Sequence, residues 1–342
     1  MLSISIIIPT FNSAKTLARC LESIFLQDYH REKLEVIIAD GGSCDGTPEI
    51  VRRFMDKGGI QLRVYANPLK TGEAGKAAGF KHAKNEVIAF IDSDNILPDK
   101  NWLSNMAKPF SDSQIIASEP LEYTYRQSDG FITRYCALIG MNDPICLFLG
   151  NYDRYCYLTN KWTQMPHEQE DRGDFLKVRL FKESLPTIGA NGFLIRKSVL
   201  ERCEIRDYLF DIDIISELLD KAGEEIRLAK VKAGIIHIFS GNLPTFAKKQ
   251  RRRVRDYLYF KKLKIRKFPW QKVSKLKLLK FIVYCLLILP LFAQSLRGYF
   301  KKPDSAWFFH PFACWITLWE YAWAGFSGIF GTKELDRIGW GQ

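Results

Sequence analysis

The chain has no Cys-x-x-Cys pair: its eight cysteines, at 20, 44, 136, 146, 156, 203, 285 and 314, are scattered and mostly set among apolar residues. That excludes a zinc ribbon or dithiol redox centre and favours a reducing compartment, where such cysteines behave as small hydrophobes. Internal repeats and low-complexity linkers are absent too. No basic residues precede the first apolar stretch, which stops at Pro9, so the opening reads as a strand and not as a signal peptide. Acids are nearly missing from one region, residues 248–280, where fifteen Lys and Arg stand against Asp256 alone. The net charge of +12 is therefore local, and the rest of the chain is slightly acidic. This distribution argues against a nucleic-acid binder and for a local anionic partner, of which a membrane face is the simplest.

What is present is enough for one sizeable core with an appendage: 342 residues, 47% hydrophobic and 26% charged. Ser3 to Ile8 are nearly all apolar and β-branched, the pattern of a strand buried on both faces, as in a parallel sheet. Leu17, Cys20, Leu21, Ile24 and Phe25 then recur at helical spacing, predicting a helix capped by Asn12 or Ser13. The unit repeats with a strand at Glu35–Ala39 and a helix at Ile50–Met55, opened by Thr47 as cap, Pro48 and Glu49. Strands at Leu62–Ala66 and Val87–Ile91 flank a helix from Glu73 to Ala83. Such alternation predicts a doubly wound α/β domain over the first 110 residues. Residues 112–187 show no dominant period and receive no assignment. Order returns with Thr187–Arg196, a helix near Asp211–Ala222, and strands at Arg227–Val231 and Gly234–Phe239.

Open α/β sheets bind ligands beyond the carboxyl ends of their strands, so acids placed there stand out. Asp40 follows the second strand in Asp40-Gly41-Gly42-Ser43-Cys44-Asp45-Gly46-Thr47; its glycines allow close backbone approach, and its carboxylate can accept a base N–H or a ribose hydroxyl. Asp92-Ser93-Asp94-Asn95 follows the fourth, and two carboxylates one residue apart can hold a hard divalent cation that bridges diphosphate oxygens. Taken singly, the first is an ordinary turn sequence and the second a common chance pattern. Gly75-Lys76 lacks phosphate-loop spacing, and His167-Glu168-Gln169-Glu170-Asp171 lacks a second His for zinc.

Taken together with Ile7-Ile8-Pro9-Thr10-Phe11-Asn12, these stretches resemble the family-2 glycosyltransferases of the GT-A fold, closely over the first 110 residues and more weakly to about 240. The resemblance implies an inverting, metal-dependent transfer from a nucleotide diphosphate sugar, with a UDP-sugar favoured. It implies that Pro9, Thr10, Asn12, Asp40, Gly42, Ser43, Asp92 and Ser93 bind the nucleotide, and that Asp94 holds Mg or Mn. His237, on the last strand, matches the position of a second metal ligand; a lone His between Ile236 and Ile238 is otherwise a packed core residue. Gly189-Ala190-Asn191-Gly192 resembles the loop bordering the donor sugar, here Asn191 and Gly192. Phe210-Asp211-Ile212-Asp213 resembles the acidic catalytic element, with Asp211 as base and Asp213 beside it; both are otherwise helix-terminal acids satisfying the dipole. Three departures matter. Lys76 stands where an Arg is common on the diphosphate, Phe210 where Glu is usual, and Gln250-Arg251-Arg252-Arg253-Val254 matches a Gln-x-x-Arg-Trp diphosphate motif without its Trp, leaving Gln250 and Arg253.

Past residue 247, basic sequence interleaved with Tyr257, Leu258, Phe260, Leu263, Phe268 and Trp270 precedes the apolar runs Phe281–Ala293 and Ala306–Phe330. This predicts basic amphipathic membrane-surface helices over 246–280 and hydrophobic membrane-associated helices over 281–342, after a nucleotide-sugar half (1–110) and an acceptor half (111–245). The first run is short and holds Pro290; the second holds His310 and Glu320, so crossing and in-plane arrangements both stay open. Positive charge next to the membrane places the catalytic domain on the cytoplasmic side. The expected acceptor is then a membrane lipid, a lipid-linked glycan or a surface polysaccharide. A polyprenyl-phosphate glycosyl synthase and a non-catalytic membrane-docked module are the alternatives.

Overall fold

The computed structural model describes residues 1–222, 225–268 and 274–329, so Trp270, Phe330 and the rest of the C-terminal stretch lie outside the described residues. The chain divides into two compact units, one made of residues 1–121 and 166–237, the other of residues 122–165 and the helices from 238 onward. This differs from boundaries at 110 and 245. The unassigned middle is split, part of it packing with the C-terminal helices and part extending the sheet.

The first unit opens with the expected alternation: β1 (Ile4–Thr10), α1 (Ala14–Phe25), β2 (Leu34–Asp40), α2 (Thr47–Lys57), β3 (Gln61–Ala66), α3 (Gly72–Phe80), β4 (Val87–Phe90), β5 (Asn95–Ile96) and α4 (Trp102–Ala107). It continues into β6 (Ile115–Tyr123) and, later, β7 (Glu168–Asp171), β8 (Phe175–Leu180), β9 (Phe193–Arg196) and β10 (Ile226–His237). The sheet order is β3-β2-β1-β4-β9-β6-β10-β8-β7, with β5 added against β10. Pairing is parallel from β3 to β4; β9 is antiparallel to β4 and β6, and β8 to β10 and β7. The two strands expected at 227–231 and 234–239 are one strand. Its first half, Ile226 to Val231, pairs with β8 and its end, Ile236 and His237, with β5.

Two further helices complete this unit, α5 (Lys197–Leu200) and α6 (Asp211–Ala222). Helix starts also differ in detail from the capping expected. Neither Asn12 nor Ser13 caps α1 with its side chain; the Ala14 N–H donates to Asp45 Oδ2 at 3.0 Å, and Asp45 Oδ1 accepts from Thr47 N–H at 3.0 Å. One carboxylate thus serves two helix N-termini, and Thr47 lies inside α2, its hydroxyl accepting from Ser13 N–H at 2.8 Å.

The second unit is helical: α7 (Phe131–Ile139), α8 (Ile145–Leu149), α9 (Leu243–Lys262), α10 (Lys275–Leu287), α11 (Leu289–Lys301) and α12 (His310–Ile329). Its core gathers Tyr135, Phe246, Phe281, Cys285, Leu291 and Trp307. The basic helix α9 is not an exposed amphipathic element along its length. Phe246, Gln250 and Phe260 are buried within the unit, and Arg251 makes a two-pronged ion pair with Glu320 of α12 at 2.6 and 2.9 Å. Among the described residues no single helix is long and apolar enough to cross a membrane; α10 and α11 qualify only as a pair, bent by 94°.

Candidate active site

The site forms in the first unit, at the carboxyl ends of β1, β2 and β4 and the turns that follow them. The loop after β2 is built around Asp40. Oδ1 accepts from Thr10 Oγ1 (2.8 Å) and Ser43 Oγ (2.6 Å), and Oδ2 from the Gly42 and Ser43 N–H groups (3.0 and 2.9 Å). Asn12, in the left-handed region (φ 50), ties the β1 turn to the same loop: its N–H donates to Ser43 Oγ and its Oδ1 accepts from Cys44 N–H. Thr10, Asn12, Asp40, Gly42 and Ser43 are therefore joined in one hydrogen-bonded cluster of turns next to Pro9, and Ser93 meets Ser13 hydroxyl to hydroxyl at 3.1 Å.

Helix α3 lies directly on β1 because it presents glycines there. A Cβ at Gly75 would stand 2.8 Å from Pro9 Cβ, and one at Gly79 2.4 Å from Ile7 Cγ2. This close packing delivers Lys76 into the site, 5% exposed, with its ammonium 3.3 Å from Asp92 Oδ1 and in direct contact with Asp211 Oδ2. Burial alone would lower the Lys76 pKa, but Asp211 and Asp92 reverse that and hold it charged. Burial pushes Asp211 up to about 7, with Lys76 pulling it back and Asp92 adding to the rise. The other Asp211 oxygen, Oδ1, is buried with no hydrogen-bond partner. Asp213, two residues further along the same helix, is also buried.

On the opposite side of the strand ends, His237 closes β10 with Nε2 3.5 Å from Asp94 Oδ2. An oxygen and a nitrogen at that separation can both reach one divalent cation. No third His, Cys, Asp or Glu joins them among the described residues. The residues thus fit a metal held partly by other oxygens.

Three buried residues that the sequence reading missed connect these parts. Asn95, fully buried, accepts from Asp92 N–H (3.1 Å) and donates to Asn191 Oδ1 (3.0 Å), joining the aspartate turn to the 189–192 loop. Glu119 and Lys230 form a wholly buried ion pair at 2.8 Å, and Glu119 also accepts from Gly189 N–H at 2.9 Å. Gly189 (φ 131) leaves no room for a side chain, since a Cβ would meet Asp211 O at 2.5 Å; Gly192 (φ 86) would meet Ile235 at 2.7 Å. The loop bearing Asn191 and Gly192 is thereby wedged between β10 and the start of α6. Asn95 could have been suspected from its place after Asp94, but nothing local marks Glu119 or Lys230, whose meeting depends on strand register. Gln250 and Arg253 are in the second unit, where both donate to the Asn142 carbonyl, at 2.9 and 2.8 Å.

Similarities to known proteins agree with this architecture. Residues 5–134 match the family described as Glycosyl transferase family 2. Glycosyltransferase AglE of Haloferax volcanii is 29% identical over 140 residues, covering 40% of this chain and 45% of that relative. A Methanococcus voltae protein, named a dolichyl N-acetyl-alpha-D-glucosaminyl phosphate 3-beta-D-2,3-diacetamido-2,3-dideoxy-beta-D-glucuronosyltransferase, is 33% identical over 103 residues, 30% of this chain and 32% of its own. The chain thus matches less than half the length of either relative. A mannosyltransferase from Pyrobaculum calidifontis, solved with GDP-Man and Mn2+, has the same fold at a TM-score of 0.56 and 17% identity, over 94% of this chain and 87% of that one. Residues 5–134 are thus similar to glycosyl transferase family 2, and the sheet has the GT-A fold.

Proposed function

We propose that this chain is an inverting, metal-dependent glycosyltransferase that takes a sugar from a nucleoside diphosphate donor, a UDP-sugar favoured, and passes it to a hydroxyl of a membrane-associated glycan. The observation that carries this reading is the Asp211 carboxylate. One oxygen is held by Lys76, which also reaches Asp92 at the end of β4, while the other is buried and unpartnered.

In this mechanism the nucleoside lies against Pro9, Thr10, Asn12, Gly42, Ser43 and Ser93. Asp40 shapes that wall and meets a base N–H at the edge of an oxygen already accepting two bonds. Asp92 lies toward the ribose and diphosphate, and Lys76 can turn from the two aspartates to the diphosphate oxygens. Asn191 and Gly192 border the donor sugar. Asp94 and His237 would hold Mg or Mn, with diphosphate oxygens completing the shell, and the ion would offset charge on the leaving group. Asp211 accepts the acceptor's hydroxyl proton on Oδ1, from the face opposite the leaving diphosphate, so that attack inverts the anomeric carbon; Asp213 adds negative charge beside it. Gln250 and Arg253, occupied with the Asn142 carbonyl, are assigned to packing in the second unit, not to the diphosphate.

A lipid-linked acceptor is supported by the name of the Methanococcus relative, which specifies a dolichyl-phosphate-linked sugar, and by the basic stretch 248–280, which also favours the cytoplasmic membrane face. A synthase using a polyprenyl phosphate needs no base, because its acceptor is already an anion. Asp211→Asn separates the two: the hydroxyl reaction should lose about 10²–10⁴-fold in kcat with donor KM little changed, as for removal of a general base. Transfer to a polyprenyl phosphate that survives the substitution within a few-fold would support the phosphate-acceptor chemistry instead, and hydroxyl transfer that survives it would rule out Asp211 as the base.

A further inference from the structure

We propose that the second unit docks on the membrane from one side: the outer faces of α10, α11 and α12 enter a single leaflet, and the bent pair α10–α11 does not cross the bilayer. This deepens the membrane reading above and names its mode and its surface. Each of the three helices carries an exposed apolar stripe at helical spacing, Leu276, Leu279, Val283 and Leu286 on α10, then Phe292, Leu296 and Phe300 on α11. On α12 the stripe is Phe312, Trp315, Trp319 and Trp323. These are not marginal exposures: Leu276 is 78%, Phe300 80% and Trp319 62% accessible. The same helices bury Phe281, Cys285, Leu291, Ala313 and Cys314 on their inner sides, so they have a finished core and a second apolar face left over.

The chemistry of that face selects lipid as its occupant. Three tryptophans in a row suit the headgroup boundary, and Lys275 and Lys280 at the start of α10 with Arg297 on α11 suit anionic headgroups. The geometry selects one-sided insertion. Each arm has 13 residues, about 20 Å of helix, short of the roughly 30 Å hydrocarbon core. A bend of 94° at Ile288, itself left-handed at φ 59, keeps the arms from adding end to end. Above all, both outer ends are tied to one short segment of the same unit, residues 149–158: Lys277 Nζ donates to Leu149 O and Lys301 Nζ to Leu158 O, each at 2.8 Å. A crossing pair would have to place those two lysines on opposite sides of the membrane.

The test uses the full chain with phosphatidylcholine–phosphatidylglycerol vesicles. Sedimentation should show binding that drops by at least about tenfold in Trp319→Ser/Trp323→Ser, from the lost interfacial burial, with thermal melting unchanged. In a Cys44→Ser/Cys146→Ser background, Lys275→Cys and Pro303→Cys should both react with a membrane-impermeant maleimide added outside intact vesicles. Protection of either position until detergent is added would mean a crossing and overturn the proposal. So would absent vesicle binding, or a concentration-dependent dimer in solution abolished by the same tryptophan substitutions. Nucleoside diphosphate release measured in parallel keeps the readings apart. Binding and sidedness as stated without release would count against the enzyme and not the docking mode; release without vesicle binding would do the reverse.

Discussion

In the proposed reaction the Asp211 carboxylate has to be buried, held in place and still able to take a proton. Burial raises its pKa to about 7, where a general base is most effective, and Lys76 restrains that rise. The sign of the pH dependence follows. The active form is the ionised one, so transfer should increase with pH through an acid limb near 7. In Lys76→Met the lowering influence is gone while burial and Asp92 remain, so the limb should move to higher pH; a kcat–pH profile that stays in place would disconnect Lys76 from the base. Much of this site was readable in the sequence, because Pro9 to Asn12, Asp40 to Ser43 and Asp92 to Asn95 are contiguous and each follows a strand. The joints between them were not. Asn95 meets Asn191, and Glu119 meets Lys230, across 96 and 111 residues, and no local pattern announces such pairs.

The helices and parallel strands were legible for the same reason, that a period of apolar residues survives in one dimension. Between 112 and 187 the pattern fails because the segment serves two cores, contributing β6 to β8 to the sheet and α7 and α8 to the helical unit. Cap chemistry also escaped, since the group that satisfies Ala14 is Asp45, 31 residues away. Element packing makes two predictions. Gly79→Ala drives a methyl into Ile7 Cγ2 and should cost about 1–3 kcal/mol, seen as a lower Tm and weaker donor binding through the displaced Lys76. Adding Ile7→Ala removes the clashing atom and should relieve the packing strain. Glu119→Ala strands Lys230 in the interior and should cost about 3–5 kcal/mol, whereas Glu119→Leu/Lys230→Met should be markedly milder in chemical denaturation.

For the whole molecule, the chain brings a sheet with a nucleotide-sugar type of site and a helical unit with an unburied apolar face into one polypeptide by interleaving their segments. Basic composition marked 248–280, where α9 turns much of its apolar side inward and the exposed apolar stripes begin with Leu276 and Leu279 of α10. Catalysis is tested most directly by release of nucleoside diphosphate from a panel of nucleotide sugars with Mn present, wild type and Asp94→Ala in parallel. Release from one donor, UDP-linked, that is lost in Asp94→Ala is the predicted result. Equal release by both proteins, or none from any donor without detectable nucleotide binding by calorimetry, would contradict it.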